Sequence, residues 1–336
     1  MVGLPGSIVE QNIAKMGSEP SKFAKVPTPE NAAMMARVML PLAEIYQAEQ
    51  AKMYAASLKT LQERIDGKAD ISAEEKKARK DLSALIIKIA TDSLALGWLD
   101  VYADLTPSQG SLFTGVTAVR VQDSSIAKQI VELLPEAQKG WTIKTDVAEE
   151  SGVKIHLIDM KAKLPSTLKT HFGDAGEAYV ATGEQTVWLA AGPDALTRLK
   201  AAIQASLAPN GVAADNKPLQ VMMHLHPALQ IGKSLTEDRD IEIFRTLGEG
   251  TMLKGNKAAA PAKDGKPEEE RRVNRNALQN FKWQEAALKA LEGGADLITL
   301  EVTKDGTALR SELKAEEGVM RAVGKIVAKF TVEMLQ

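Results

Sequence analysis

Three features predict an α+β protein with a mainly antiparallel sheet, helices on one face and a helical hairpin in front. Residues 1–91 carry apolar side chains at helical spacing. From residue 92 onward, short segments alternate apolar and polar residues between turn signals, the pattern of strands. Two strand–strand–helix stretches also match when one is slid by 69 residues, which predicts an internal duplication. The predicted organisation is a helical hairpin over 1–91 and a duplicated α+β body over 92–336.

Thr28-Pro29-Glu30 has the form of a helix start: an N-capping Thr, Pro at the first helical position and an acid in the first turn. Met35, Val38, Met39, Leu42, Ile45 and Tyr46 then share one helical face, with Pro41 as a kink inside it. The face resumes at Met53, Tyr54, Leu58, Leu61 and Ile65 and stops at Gly67. Ser72-Ala73-Glu74-Glu75 is a capping box, and Leu82, Leu85, Ile86 and Ile89 stripe a second helix.

Trp98–Asp104 alternates as a strand, and Val119 and Val121 belong to a second. Asp123 opens a helix bearing Ile126, Ile130, Leu133 and Leu134. Strands at 141–143 and 153–157 flank the turn Glu150-Ser151-Gly152. Tyr179–Thr182 and Val187–Ala190 form a second pair, and Gly192-Pro193-Asp194 opens a helix with Leu196, Leu199 and Ile203. The slide places Ile126 on Ala195, Ile130 on Leu199 and Leu134 on Ile203. A strand over 219–225 ends at Pro227, and 255–268 is a small, polar, Pro/Gly-bearing flexible loop. A helix with Leu278, Phe281, Leu288 and Leu291 stops at Gly293-Gly294. Ile298–Thr303 and Leu309–Leu313 form a hairpin around Asp305-Gly306, one face buried and the other a row of charges. A helix with Val319, Val323, Ile326, Val327, Phe330 and Met334 closes the chain, its broad apolar face set to dock on a sheet.

Composition removes several chemistries. The absence of cysteine excludes disulfide scaffolds, thiolate metal sites and cysteine nucleophiles. A net charge of −2, with only 4% aromatic residues, gives no basic, stacking surface for nucleic acid. No GxGxxG, GxxxxGK[ST] or GxSxG motif is present, so no cofactor is expected. No apolar run reaches the ~20 residues of a membrane span. Residues 1–28 are interrupted by Gly3, Pro5, Gly6 and Glu10 and do not read as an export signal.

Four histidines remain as candidates. His156 is expected at the surface, on the side of its strand that carries Lys154, and His171 lies in a loop. His224 and His226 are the metal-ligand candidates: at i and i+2 of a strand, both rings would leave one face roughly 6–7 Å apart. Packing is the competing reading, because Met222 shares that face. Asp100 and Asp104, roughly 13 Å apart along a strand, are too distant for a glycosidase pair and read as solvated. Glu268–Arg275 reads as an exposed helix start with its own ion pairs.

Three stretches resemble a loose group of uncharacterised, usually exported bacterial proteins of the planctomycete type: GVTAVRVQDSSIAKQIVELL (115–134), YVATGEQTVWLAAGPDALTRLKAAI (179–203) and LITLEVTKDGTALRSELKAEEGVMRAVGKIVAKF (297–330). In that group a strand–turn–strand leads to Gly-x-Asp-Ala-Leu and a helix, as at Gly192–Leu196 here. The resemblance implies an extracytoplasmic location and carries no catalytic residues; a cytoplasmic protein is the alternative. Taken together, the expectation is a non-catalytic binding or assembly protein. Its partner would be another protein or a second copy, without nucleic acid and without a membrane span. The alternatives are a small-molecule or lipid carrier with a sheet–helix cavity, and a metal-dependent enzyme using His224 and His226.

Overall fold

The computed structural model describes residue 4 and residues 6–164, 166–208, 217–237 and 287–334. The loop read over 255–268, the Glu268–Arg275 helix start and the segment bearing Leu278 and Phe281 lie outside the described residues.

Ser7 caps the short helix α1 (Ile8–Lys15), its hydroxyl accepting the Glu10 N–H. Strand β1 (Met34–Pro41) follows, then α2 (Glu44–Gly67) and α3 (Ala73–Leu94). Strands β2 (Trp98–Pro107) and β3 (Phe113–Arg120) lead to α4 (Ser125–Ala137). Next come β4 (Thr142–Glu150), β5 (Val153–Asp159), α5 (Ser166–Phe172), β6 (Glu177–Gly183), β7 (Thr186–Ala191) and α6 (Ala195–Leu207). The described chain ends with β8 (Leu219–His224), α7 (Leu225–Glu237), β9 (Leu297–Asp305), β10 (Ala308–Ala315) and α8 (Glu317–Met334).

These ten strands form one antiparallel sheet in the order β10-β9-β8-β1-β2-β3-β7-β6-β5-β4. The α+β class with a mainly antiparallel sheet is what the molecule shows. The start of the predicted N-terminal helix is a correction. Residues 34–41 form β1, paired with β2 from Met34↔Leu105 to Pro41↔Trp98 and with β8 from Met34↔Met223 to Val38↔Leu219. The run MMARVML is apolar nearly throughout, so helical and strand periods fit it equally. Two flanking strands decide the outcome, and Pro41, which lacks an N–H, falls on the last residue of the strand. The helical hairpin itself begins at Glu44 and is inserted between two adjacent strands of the sheet. The 91/92 boundary therefore does not separate the sheet.

The helices, expected on one face, divide between two. On β6 and β7, alternation sends Ala181, Trp188 and Ala190 to one side and Ala178, Val180 and Val187 to the other. The first side packs against Leu199, Ala202 and Ile203 of α6, and against Phe23 and Val26 of the N-terminal segment. The second packs against Val131 and Leu134 of α4. Ala78, Leu82 and Ile86 of α3 then cover Ile130 and Leu133 of α4, so the hairpin forms an outer layer on that side.

Among the described residues, the order strand, helical segment, hairpin, helix occurs from β1 to α4, again from β5 to α6, and again from β8 to α8. The recurrence lies in element order rather than in helix placement. The two-fold rotation that exchanges the adjacent antiparallel strands β3 and β7 keeps a helix on its own face, whereas α4 and α6 lie on opposite faces. Gly192 is required at the turn into α6: it adopts φ 106°, and a Cβ there would collide with the Phe113 carbonyl oxygen.

Candidate functional site

Two polar constellations hold the side chains that bear on function. The first contains the predicted histidines. His224 is the last residue of β8, and the chain turns directly into α7, so His226 lies in a helix and not on the strand. The i, i+2 spacing on one strand face is thereby corrected. Pro227 is the reason the sequence misleads: it ends a strand, but it is equally at home in the first turn of a helix.

Asp296 organises this corner. Its Oδ1 lies 2.7 Å from His224 Nδ1, its Oδ2 accepts the His226 N–H at 2.7 Å, and its backbone oxygen accepts the Leu225 N–H at 3.0 Å. The carboxylate thus caps α7 from 70 residues away and fixes the His224 ring. Burial alone would push the Asp296 carboxyl up, but the His224 ring, the His226 N–H and the nearby imidazole charge together hold it below the usual carboxylate value. His224 keeps 40% of its side chain exposed, against 8% for Asp296. Both histidines, with Asn31, Pro107, Glu292 and Asp296, line a pocket of about 490 Å³. Its chemistry is that of an oriented imidazole with a carboxylate behind it, an arrangement found where histidines bind metals or move protons. Among the described residues, no group of three or more His, Asp or Glu side chains is placed to hold a metal ion.

The second constellation was not anticipated. Asp100 and Asp104, read as solvated, are 1% and 6% exposed. The N-terminal segment and α6 roof that face of β2. Asp100 accepts Ser21 Oγ at 2.6 Å and the Lys22 N–H at 2.8 Å, and burial nonetheless pushes its pKa up. Asp104 accepts the Tyr102 hydroxyl at 2.8 Å, Thr106 Oγ1 at 3.2 Å and Arg198 Nη2 of α6 at 2.5 Å. Arg37 of β1 donates to the Val26 carbonyl at 2.5 Å and to Gln220 Oε1 of β8 at 3.3 Å, with its guanidinium 5.8 Å from the Tyr102 ring centre. Asp100, Asp104 and Arg37 are each held by at least one group from another part of the chain, although Arg37 Nε has no partner among the described residues. The network therefore reads as a clasp between the N-terminal segment, the sheet and α6. The only advance sign was the alternation itself: polar residues with a two-residue period mark a shared face without saying what covers it.

His156 is a further correction. It is 1% exposed, its Nδ1 accepts the Asp146 N–H at 3.1 Å, and its Nε2 has no partner among the described residues. It faces α4, which covers the side of β5 expected to meet water. His171 lies in α5, not in a loop, and is also buried, its ring 6.4 Å from that of Phe113. Among the described residues no helix is long and apolar enough to cross a membrane. No family model, no curated protein and no solved structure matches this chain.

Proposed function

We propose that the chain is a non-catalytic binding or assembly protein that acts outside the cytoplasm by presenting its sheet to other protein chains. One observation carries this reading. The sheet face opposite the Asp100–Asp104 row carries Val38, Leu40, Leu99, Val101 and Leu189, and none of the five is buried. Leu99 and Leu189 are 40% and 46% exposed. On this face the apolar side chains of β1 and β2 are joined through Val119 of β3, and Leu189 of β7 stands beside the exposed Thr117. This is more than the single exposed side chains ordinary on a protein surface, and patches of this kind mark association sites. The extracytoplasmic location rests on the resemblance to exported proteins, and the absence of thiols is compatible with it.

The His224–Asp296 pair favours a second reading, a small-ligand or metal site in the same molecule. One set of samples tests both. Light scattering should show concentration-dependent association of the native chain, and Leu99→Glu with Leu189→Glu should reduce it about tenfold or more, as burying an unpaired charge demands. Unchanged association in that variant removes the patch from the function. Stoichiometric zinc uptake that His224→Ala abolishes, in a chain that remains monomeric, favours the second reading.

A further inference from the structure

The two ends of the sheet are protected unequally. At one end, β4 is bulged: its register with β5 shifts between Lys144 and Ala148, and Asp146 adopts φ 53. Bulges of this kind stop a strand from pairing further. At the other end, β10 pairs with β9 without interruption over eight residues and contains no proline. Residues 310–315 are all exposed, and Leu313 is 68% exposed. The hairpin was expected to bury one face; instead Leu313 stands on an open strand, which is a correction and also a clue.

We infer that β10 is a dimerisation edge, pairing antiparallel with β10 of a second copy of this chain about a two-fold axis at Leu313. This deepens the assembly reading above and rests on it. In the β9–β10 hairpin the residues flanking the two-residue turn, Asp305 and Ala308, form the first hydrogen-bonded pair. Alternation then turns the backbone groups of Ser311, Leu313 and Ala315 away from β9. With the axis at Leu313, Ser311 faces Ala315 of the second copy and Leu313 faces its own equivalent. Glu312 faces Lys314 of the second copy, and Arg310 faces Glu316, each pair occurring twice by symmetry.

The charge pattern is therefore self-complementary at this register. Placing the axis at Ser311 instead pairs Arg310 with Glu312 but leaves Lys314 opposite Ala308. Glu312 also has a local need for a cation. It stands directly opposite Glu301 of β9, an unfavourable like-charged pair. Glu301 is already engaged by Lys217 at 2.9 Å and Gln220 at 3.2 Å, while among the described residues Glu312 is paired with its own neighbour Lys314 at 3.2 Å. A second copy places another lysine across from Glu312. Pairing of one strand edge buries less than the ~1,200 Å² of a standard interface, so the dimer is of the transient, concentration-dependent kind.

The cysteine-free chain makes the test direct. Antiparallel hydrogen-bonded partners have Cα atoms about 5.5 Å apart, within disulfide range. Under mild oxidation Leu313→Cys should cross-link to itself, and Ser311→Cys, which faces Ala315, should do so about tenfold less. Lys314→Glu should weaken dimerisation measured by light scattering about tenfold, and adding Glu312→Lys should restore it. Preferential cross-linking of Ser311→Cys overturns this register. If the native chain associates but Leu313→Cys does not cross-link and Lys314→Glu changes nothing, the edge is not the interface while the assembly reading survives. A native chain that is monomeric at all concentrations, with Leu313→Cys uncross-linked, overturns the inference.

Discussion

At the scale of single residues, the two buried histidines set a pH dependence. Removal from water holds both His156 and His171 below the ordinary imidazole value; at His156 the nearby Asp146 opposes this and does not prevail. The folded chain therefore binds these protons less readily than the unfolded chain does. Protonation favours unfolding: their stabilisation is complete above pH ~6.5 and is lost as pH falls below it. Asp296, held low, contributes stability that is lost only under more acidic conditions, nearer pH ~4. The urea midpoint should fall between pH 7.5 and 5.5, and a His156→Gln/His171→Gln variant should show a flatter dependence whatever its absolute stability. An identical slope in that variant would assign the effect to other groups. The sequence did not disclose either burial. His156 alternates correctly with its apolar neighbours, but alternation separates two faces without ranking them, and here helices cover both. His224 and His226 were legible as neighbours. Their organiser, Asp296, lies 70 residues from His226 in sequence and follows a double glycine, with no local pattern to announce it.

At the scale of elements, the hairpin of α2 and α3 is an insertion whose ends are already close. Pro41 and Trp98 are register partners, and the Leu42 N–H donates to the Gly97 carbonyl. Replacing residues 44–94 by a short turn should leave the ten-stranded sheet assembled, because such a connection joins antiparallel neighbours at little entropic cost. It should also expose Ile130 and Leu133 of α4, which Leu82 and Ile86 now cover. The measurable outcome is retained strand signal in circular dichroism with increased binding of a hydrophobic dye. Deletion of residues 1–91, in contrast, removes the central strand β1 and should abolish cooperative unfolding. If the two deletions behave alike, the hairpin is part of the core. Most elements were legible where one period dominated: the capping box at Ser72 starts α3, and the last hairpin turns one residue later than read, at Gly306-Thr307, with Asp305 closing β9. β1 was not, because MMARVML satisfies both periods and only its neighbours in the sheet choose between them.

At the scale of the whole molecule, the N-terminal segment joins parts of the chain that are otherwise remote. Phe23 is fully buried, its ring centre 5.2 Å from that of Trp188 in edge-to-face contact. Ser21 and Lys22 satisfy Asp100, the Val26 carbonyl receives Arg37, and Glu19 lies 2.6 Å from Arg120 Nη1 on β3. Lys304 of β9 donates to the carbonyls of Ala14 and Met16. One segment of fewer than thirty residues thus bridges β9, β1, β2, β3 and β7. The magnitudes separate its anchors. Phe23→Ala forfeits a fully buried aromatic and leaves a cavity against Trp188, a loss of about 3–5 kcal/mol. Ser21→Ala removes one of two donors to Asp100 and should cost about 1–3 kcal/mol. Because Ser21 and Phe23 belong to the same short segment, their effects should couple and not simply add. Chemical denaturation of the two single variants and the double variant measures this. A coupling near zero would mean that the segment does not act as a unit. A large one would mean that the polar row on β2 stays dry only while Phe23 is seated, so the same few residues that close the core also permit two carboxylates and an arginine to lie inside it.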